Sequence, residues 1–323
     1  MAEAEVGDDV FGEDPTINLL QERVAEMLGA EAALFVSSGS MGNLISLRAL
    51  AQPGDEVICH ESAHFLLYEV GALAAVAGVQ ARPLAGDRGV LDPDLVARTV
   101  NPQMYTFPRT RVVAIENTHN VAGGTVYPID DLRQLRKIAE EHELSVYLDG
   151  ARIFNASIAS GVPVSEYMSE VDAISFCFSK ALGAPVGSIV AGSADFIQRA
   201  HRYRKMHGGG MRQVGILAAA CLVALDTGID RIADDHANAK RLAEGIAAIS
   251  SDAVDPALIE TNIVLVRTEP LGFEPAIFVA ELAAKGVKFL AYRPGVVRMM
   301  THKDVSSDDV EYALEQISQA AGK

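Results

Sequence analysis

The chain has 323 residues, 49% of them apolar, and a formal net charge of −16 at pH 7. That length supports one large domain or a large one with a small companion, and it is enough to bury a sizeable core. An acidic chain with a pI near 4.9 and no basic stripe lacks the electrostatic footprint of a nucleic-acid-binding protein.

The opening residues, MAEAEVGDDV, have neither a basic start nor an apolar run, so they do not read as a secretory signal. The longest apolar stretch, residues 214–225 (VGILAAACLVAL), is too short to span a bilayer and reads as a buried helix. The expected location is the cytoplasm, with no membrane partner. Cys59, Cys177 and Cys221 lie inside apolar runs without metal or redox spacing, which predicts reduced core residues.

In chain order, residues 32–37, 55–59, 79–84, 111–116, 144–148 and 171–178 read as short apolar strands. The segments between them carry helical periodicity, as in 130–143 (DDLRQLRKIAEEHE), where apolar residues fall at 132, 135 and 138. Strands alternating with helices predict an α/β fold of right-handed βαβ units, its mostly parallel sheet covered on both faces. Ligands of such sheets collect at the carboxyl ends of the strands. A further strand is expected at 187–191, followed by helix over 194–249 with an interruption at residues 208–210. Strands at 262–267, 287–291 and 296–300 around helices at 274–284 and 307–320 then predict a small α+β C-terminal domain. The expected division is 1–232 and 233–323.

Four motifs fall at strand ends. Ser37-Ser-Gly-Ser-Met-Gly-Asn43 joins a strand to a helix, and its small residues let backbone N–H groups approach an anion at the helix start. An ordinary N-cap by Ser40 would explain it equally well. It matches neither the dinucleotide glycine pattern nor a P-loop. Asp149 closes the strand at 144–148, and a carboxylate there needs a cationic partner. Arg152 could be that partner; alternatively Asp149 holds a protonated ring nitrogen of a cofactor and Arg152 is free to bind a carboxylate. Lys180 follows the next strand and is expected to be buried, which favours a reactive amine over a solvated one. An anion cradle, an aspartate and a lysine converging on one crevice are what pyridoxal phosphate requires: phosphate site, ring-nitrogen partner and Schiff-base amine.

The fourth motif, His60-Glu-Ser-Ala-His64, matches the H-E-x-x-H zinc pattern, which requires a helix to place both imidazoles on one face. Here a strand runs up to the motif, so the two rings need not face the same way, and a zinc hydrolase is the weaker expectation. His64 alone, at the ligand edge, could stack on a cofactor ring. His119, in Glu116-Asn-Thr-His-Asn120, falls at the same edge, and both histidines are acid/base candidates. His142, His201, His236 and His302 read as structural.

The runs Val10-Phe-Gly-Glu-Asp-Pro-Thr16, Ser38-Gly-Ser-Met-Gly-Asn43, Glu116-Asn-Thr-His-Asn120, Leu148-Asp-Gly-Ala-Arg152, Ser179-Lys-Ala-Leu-Gly-Ala-Pro-Val-Gly187 and Arg204-Lys-Met-His-Gly-Gly-Gly-Met-Arg212 resemble the low-specificity L-threonine aldolases. These are pyridoxal-phosphate enzymes of fold type I, the aspartate aminotransferase fold. The resemblance covers nearly the whole chain. It implies retro-aldol cleavage of L-threonine or L-allo-threonine to glycine and acetaldehyde, and so a place in threonine catabolism and glycine biosynthesis.

Position by position, the resemblance implies Lys180 as the Schiff-base lysine and Asp149 as the ring-nitrogen partner. Ser38, Gly39 and Ser40 would lie at the phosphate, His64 over the pyridine ring and His119 near the substrate hydroxyl. Arg152 and Arg298 would bind the substrate carboxylate. Lys205 and Arg212 would approach the cofactor of a neighbouring subunit, implying a homo-oligomer, a tetramer built as a dimer of dimers. Two departures stand out. The family's leading Ser-Asp-containing segment, whose serine reaches the substrate carboxylate, is absent, so the expectation is an upstream start or binding by the two arginines alone. Phe11 stands where the family commonly has tyrosine. Within the same fold, a β-eliminating lyase or a racemase would share the lysine, the aspartate and the cradle.

Overall fold

The computed structural model describes residues 1–322. Seven strands form the main sheet: β1 (Ala32–Val36), β2 (Glu56–His60), β3 (Gln80–Leu84), β4 (Thr110–Glu116), β5 (Ser145–Asp149), β6 (Ala173–Cys177) and β7 (Ser188–Gly192). Their spatial order is β1-β7-β6-β5-β4-β2-β3. Only β7 runs against the rest, pairing antiparallel with both β1 and β6. The carboxyl ends of β1, β2, β4, β5 and β6 therefore share one edge, as the βαβ reading requires.

Alternation along the strands builds a core on each face. Val113, Ile115, Val146 and Leu148 belong to one core with residues of the helices Pro15–Leu28 and Ile129–Glu141, whereas Val112, Ala114 and Tyr147 share the other core with residues of the helix Gly39–Leu50. β2, β6 and β7 are buried throughout, but β3 is largely open to solvent. It is an edge strand, which tolerates the missing N–H of Pro83.

The expected long helix breaks into Ala194–Met206, Gly215–Gly228 and Ile232–Ile249, with a second interruption at residues 229–231. Residues 214–225 are less enclosed than their composition suggests: Cys221 and Ala218 are buried, but Ile216 and Val223 are exposed on the opposite face. No helix among the described residues is long and apolar enough to cross a membrane. All three cysteines are free and buried, as expected.

Strands β8 (Ile263–Arg267), β9 (Leu290–Arg293) and β10 (Val296–Met300) form a separate antiparallel sheet in the order β8-β10-β9. It packs with the helices Ile232–Ile249, Pro275–Ala284 and Ser307–Ala320 around its own core, centred on Phe278, Leu282 and Val297. β9 starts three residues later than its apolar run suggests. Gly286, at φ +86°, ends the preceding helix in a left-handed turn that occupies the chain through Val287, whose N–H bonds back to Leu282.

The amino-terminal helix is fastened by Asp14, which is fully buried. Its Oδ1 accepts from Ile17 N at 3.1 Å as an N-cap, and Oδ2 accepts from Gly215 N at 2.9 Å across the core. Asp14→Ala removes a cap and strands a buried donor, so chemical denaturation should show a loss of about 2–4 kcal/mol.

Candidate active site

Each of the five strand ends at the shared edge delivers one piece of chemistry. After β1 the chain turns directly into the helix Gly39–Leu50, with Ser38 as N-cap, its Oγ accepting from Met41 N at 3.2 Å. The first N–H groups of the helix have no intrahelical acceptor and are available to an anion. A Cβ at position 39 would come within 2.9 Å of Cys177 Sγ, so this approach of loop to strand needs glycine.

Asp149 ends β5 and is 2% exposed. Asn43 Nδ2 donates to its Oδ2 at 2.8 Å and Ala151 N to its Oδ1 at 3.1 Å. No ammonium or guanidinium among the described residues pairs with it; Arg152 turns instead toward Asn120. The purely structural account, an Asp149–Arg152 pair, is therefore not what the chain builds. A buried carboxylate held only by neutral donors is a site awaiting a cation.

Asn43 also donates to Glu69 Oε1 at 2.8 Å, while its own Oδ1 accepts from Tyr147 Oη–H at 2.7 Å. Glu69 Oε1 lies 2.9 Å from His64 Nδ1. This hydrogen bond raises the His64 pKa above its ordinary value, against the opposing effect of burial. His64 sits at the start of the short helix His64–Leu67 and is 28% exposed at its side chain, so it retains access to the crevice.

Lys180 follows β6 on a turn and is half-buried rather than buried. The burial of the strand ends at Phe178, and the lysine reaches back into a cavity of about 350 Å³ lined by Ser38, Gly39, Ser40, His64, Asp149 and Lys180. A larger cavity, about 630 Å³, opens at the amino end of β4 beside Met104 and Arg109 and holds none of these groups.

His119 is elsewhere. It is 2% exposed, its Nδ1 accepts from Ala122 N at 3.3 Å, and its Nε2 has no partner. Burial, with help from His60, pushes its pKa down to about 3. It does not line the cavity; Glu116 Oε2 lies 4.0 Å from its Nε2. Glu116 is in register with Asp149 on the adjacent strand. Burial first and Asp149 second push its carboxyl up to about 7, although Asn120 N and His64 N donate to it at 2.8 and 2.9 Å.

The H-E-x-x-H run does not lie on one helix. His60 ends β2, its ring set edge-on to His119 at 4.7 Å and its Nδ1 accepting from Ser62 N, while His64 turns to Glu69. Arg152 and Arg298 meet at Asn120. Lys205 and Arg212 are exposed and outside the cavity; Arg212 pairs with Asp8 at 2.5 Å and lies over the Phe11 ring. His236 bonds Asn155, whereas His302, expected to be structural, lines an adjoining cavity of about 400 Å³ with Lys180 and Arg152.

The model of the beta-eliminating lyase family matches residues 1–269. Low-specificity L-threonine aldolase 1 of Arabidopsis thaliana is 39% identical over 329 residues, covering 99% of this chain and 91% of that protein. The low specificity L-threonine aldolase of Escherichia coli strain K12 is 40% identical over 311 residues, covering 96% and 90%. This chain belongs to the low-specificity L-threonine aldolase family. The solved threonine aldolase of Leishmania major superposes with a TM-score of 0.83 at 20% identity, covering 99% of this chain and 92% of that one. Serine palmitoyltransferase of Sphingomonas wittichii shares the architecture at a TM-score of 0.74 and 17% identity, covering 99% and 79%. The threonine aldolase family is pyridoxal-phosphate-dependent and of fold type I, and the cavity fits that cofactor: a helix-start cradle, a cationless aspartate and an amine line one space.

The Asn43–Glu69–His64 chain has a direct consequence. In Glu69→Gln the bond that raises the His64 pKa weakens, so that pKa should fall, as followed by imidazole NMR titration.

Proposed function

We propose that this chain is a pyridoxal-phosphate-dependent L-threonine aldolase, cleaving L-threonine or L-allo-threonine to glycine and acetaldehyde by retro-aldol scission of the Cα–Cβ bond. The observation that carries this reading is the buried Asp149, without a cationic partner, sharing a cavity with Lys180 and His64. Ser38, Gly39 and Ser40 would hold the phosphate, Asp149 the ring nitrogen, and Lys180 would form the covalent link through its amine. When bound, the cofactor supplies a protonated ring that absorbs the electron pair released from the Cα–Cβ bond.

The chain's own residues handle the proton and the carboxylate. Retro-aldol cleavage requires removal of the β-hydroxyl proton. We assign this to His64, because Glu69 fixes its Nδ1 and leaves Nε2 as the acceptor on the cavity side. His119, enclosed behind Glu116, is given no direct proton transfer in this reading. Arg152 and Arg298 would bind the substrate carboxylate; Arg152 is buried and Arg298 half-buried, and neither forms an ion pair with a carboxylate among the described residues, although the Glu116 charge attracts both.

The reading extends to assembly. Lys205 and Arg212 lie outside their own chain's cavity on an exposed surface, which supports a role at a neighbouring subunit's cofactor in a homotetramer arranged as a dimer of dimers. A division at residues 232 and 233 is supported by the separate core around Phe278.

The deciding assay mixes the holoenzyme with L-threonine and traps acetaldehyde with a coupled alcohol dehydrogenase. Ammonia and a keto acid in place of acetaldehyde would sink the proposal. His64→Phe should lower kcat by about 10²–10⁴-fold. Lys180→Ala should lose the cofactor label that borohydride fixes to the parent.

A further inference from the structure

Arg152 and Arg298 arrive from different places, one after β5 and the other on β10 of the C-terminal sheet, yet their guanidinium groups converge on one atom. Asn120 Oδ1 accepts from Arg298 Nη2 at 2.8 Å and from Arg152 Nη1 at 3.5 Å. Asn120 is itself fixed, being 9% exposed, with its N–H donating to Glu116 Oε1 at 2.8 Å. Arg298 lies over the Tyr292 ring at 5.7 Å, which supports it on one side.

Two adjacent guanidinium groups repel, and burial strengthens that repulsion. Burial first and the Arg298 charge second push the Arg152 pKa down to about 10. The charge of Glu116 attracts both guanidinium groups, but its carboxyl is itself pushed up to about 7. None of the described residues pairs with either arginine as an ion pair, so a carboxylate placed between them would relieve the repulsion. The acceptor is a neutral amide oxygen, and the Nε atoms of both arginines are buried without a partner.

We infer that Asn120 is a positioning residue that holds Arg152 and Arg298 together as a two-guanidinium clamp, its neutral oxygen leaving the pair without an ion-pair partner until the substrate carboxylate arrives. The inference rests on the reading that these arginines bind the carboxylate. An aspartate at this position is nearly isosteric and accepts the same hydrogen bonds, but it competes with the substrate for both cations. Charge compensation therefore separates the effect on affinity from the effect on stability.

The test measures glycine Kd by calorimetry and the thermal midpoint for the parent holoenzyme, Asn120→Asp, Asn120→Ala and Arg298→Ala. Asn120→Asp is expected to weaken glycine at least tenfold without lowering the midpoint, and to raise the KM for threonine while kcat changes less than threefold. Asn120→Ala, which loosens the clamp but keeps its charge, is expected to weaken glycine less. A Kd within twofold of the parent in Asn120→Asp overturns the inference, as does a weakening accompanied by a lowered midpoint. Arg298→Ala separates the two failures. Weakened glycine there beside an unaffected Asn120→Asp removes only the role of Asn120, whereas an unchanged Kd removes the carboxylate reading and the clamp with it.

Discussion

The site is organised by one electrostatic fact, a carboxylate in the sheet interior with no positive partner among the described residues. Asp149 is held by an amide and a backbone N–H, and both donors are themselves built into the scaffold, Asn43 on the helix after β1 and Ala151 just beyond β5. An isolated ion in such surroundings is expensive. The fold accepts that expense at one point and arranges the rest of the edge around it. Asn43 divides its two donor hydrogens between Asp149 and Glu69, and Glu69 in turn orients His64. Asp149 and His64 are thus two ends of one hydrogen-bonded chain. A change at Asn43 would disturb both.

The main outline was legible in the sequence because it depends on local patterns. Short apolar runs alternating with helical stripes mark the sheet, and Ser38, Asp149 and Lys180 announce themselves as polar residues within two positions of the ends of such runs. What the sequence concealed depends on which strands become neighbours. Asn43 and Asp149 are 106 positions apart, Asn120 and Arg298 178 apart, and no periodicity links them. Histidines 64 and 119 look alike as strand-end residues. Only the fold separates them, leaving one open to the crevice and the other packed edge-on against His60. Lys180 is less buried than its apolar neighbours suggest, because they reveal the strand and not the turn after it.

A second carboxyl, Glu116, ties these parts together mechanically. Its two oxygens take the N–H groups of His64 and Asn120, so the segment bearing His64 and the loop that accepts from the two arginines are fastened to one side chain. Its elevated pKa follows from being placed in register with Asp149 on the next strand. His64 and Asn120 therefore share a mount. Their separation is set by the geometry of one glutamate and not by the flexibility of two loops.

The reversed direction of β7 has its own consequence. Because β7 lies antiparallel to β6, the chain bearing Lys180 returns through a short connection instead of a crossover helix, and ladder pairs such as Cys177 with Ser188 close it. Phe178 N and Ala184 N bond to Gly187 O and Phe178 O, pinning the turn on both sides of the lysine. The reach of that amine is consequently a matter of strand register. A slip of one residue between β6 and β7 would turn every side chain of the slipped strand to the opposite face. Length variation in this architecture is therefore better tolerated in the crossovers elsewhere in the sheet than in the ten residues that carry the lysine between Cys177 and Ser188.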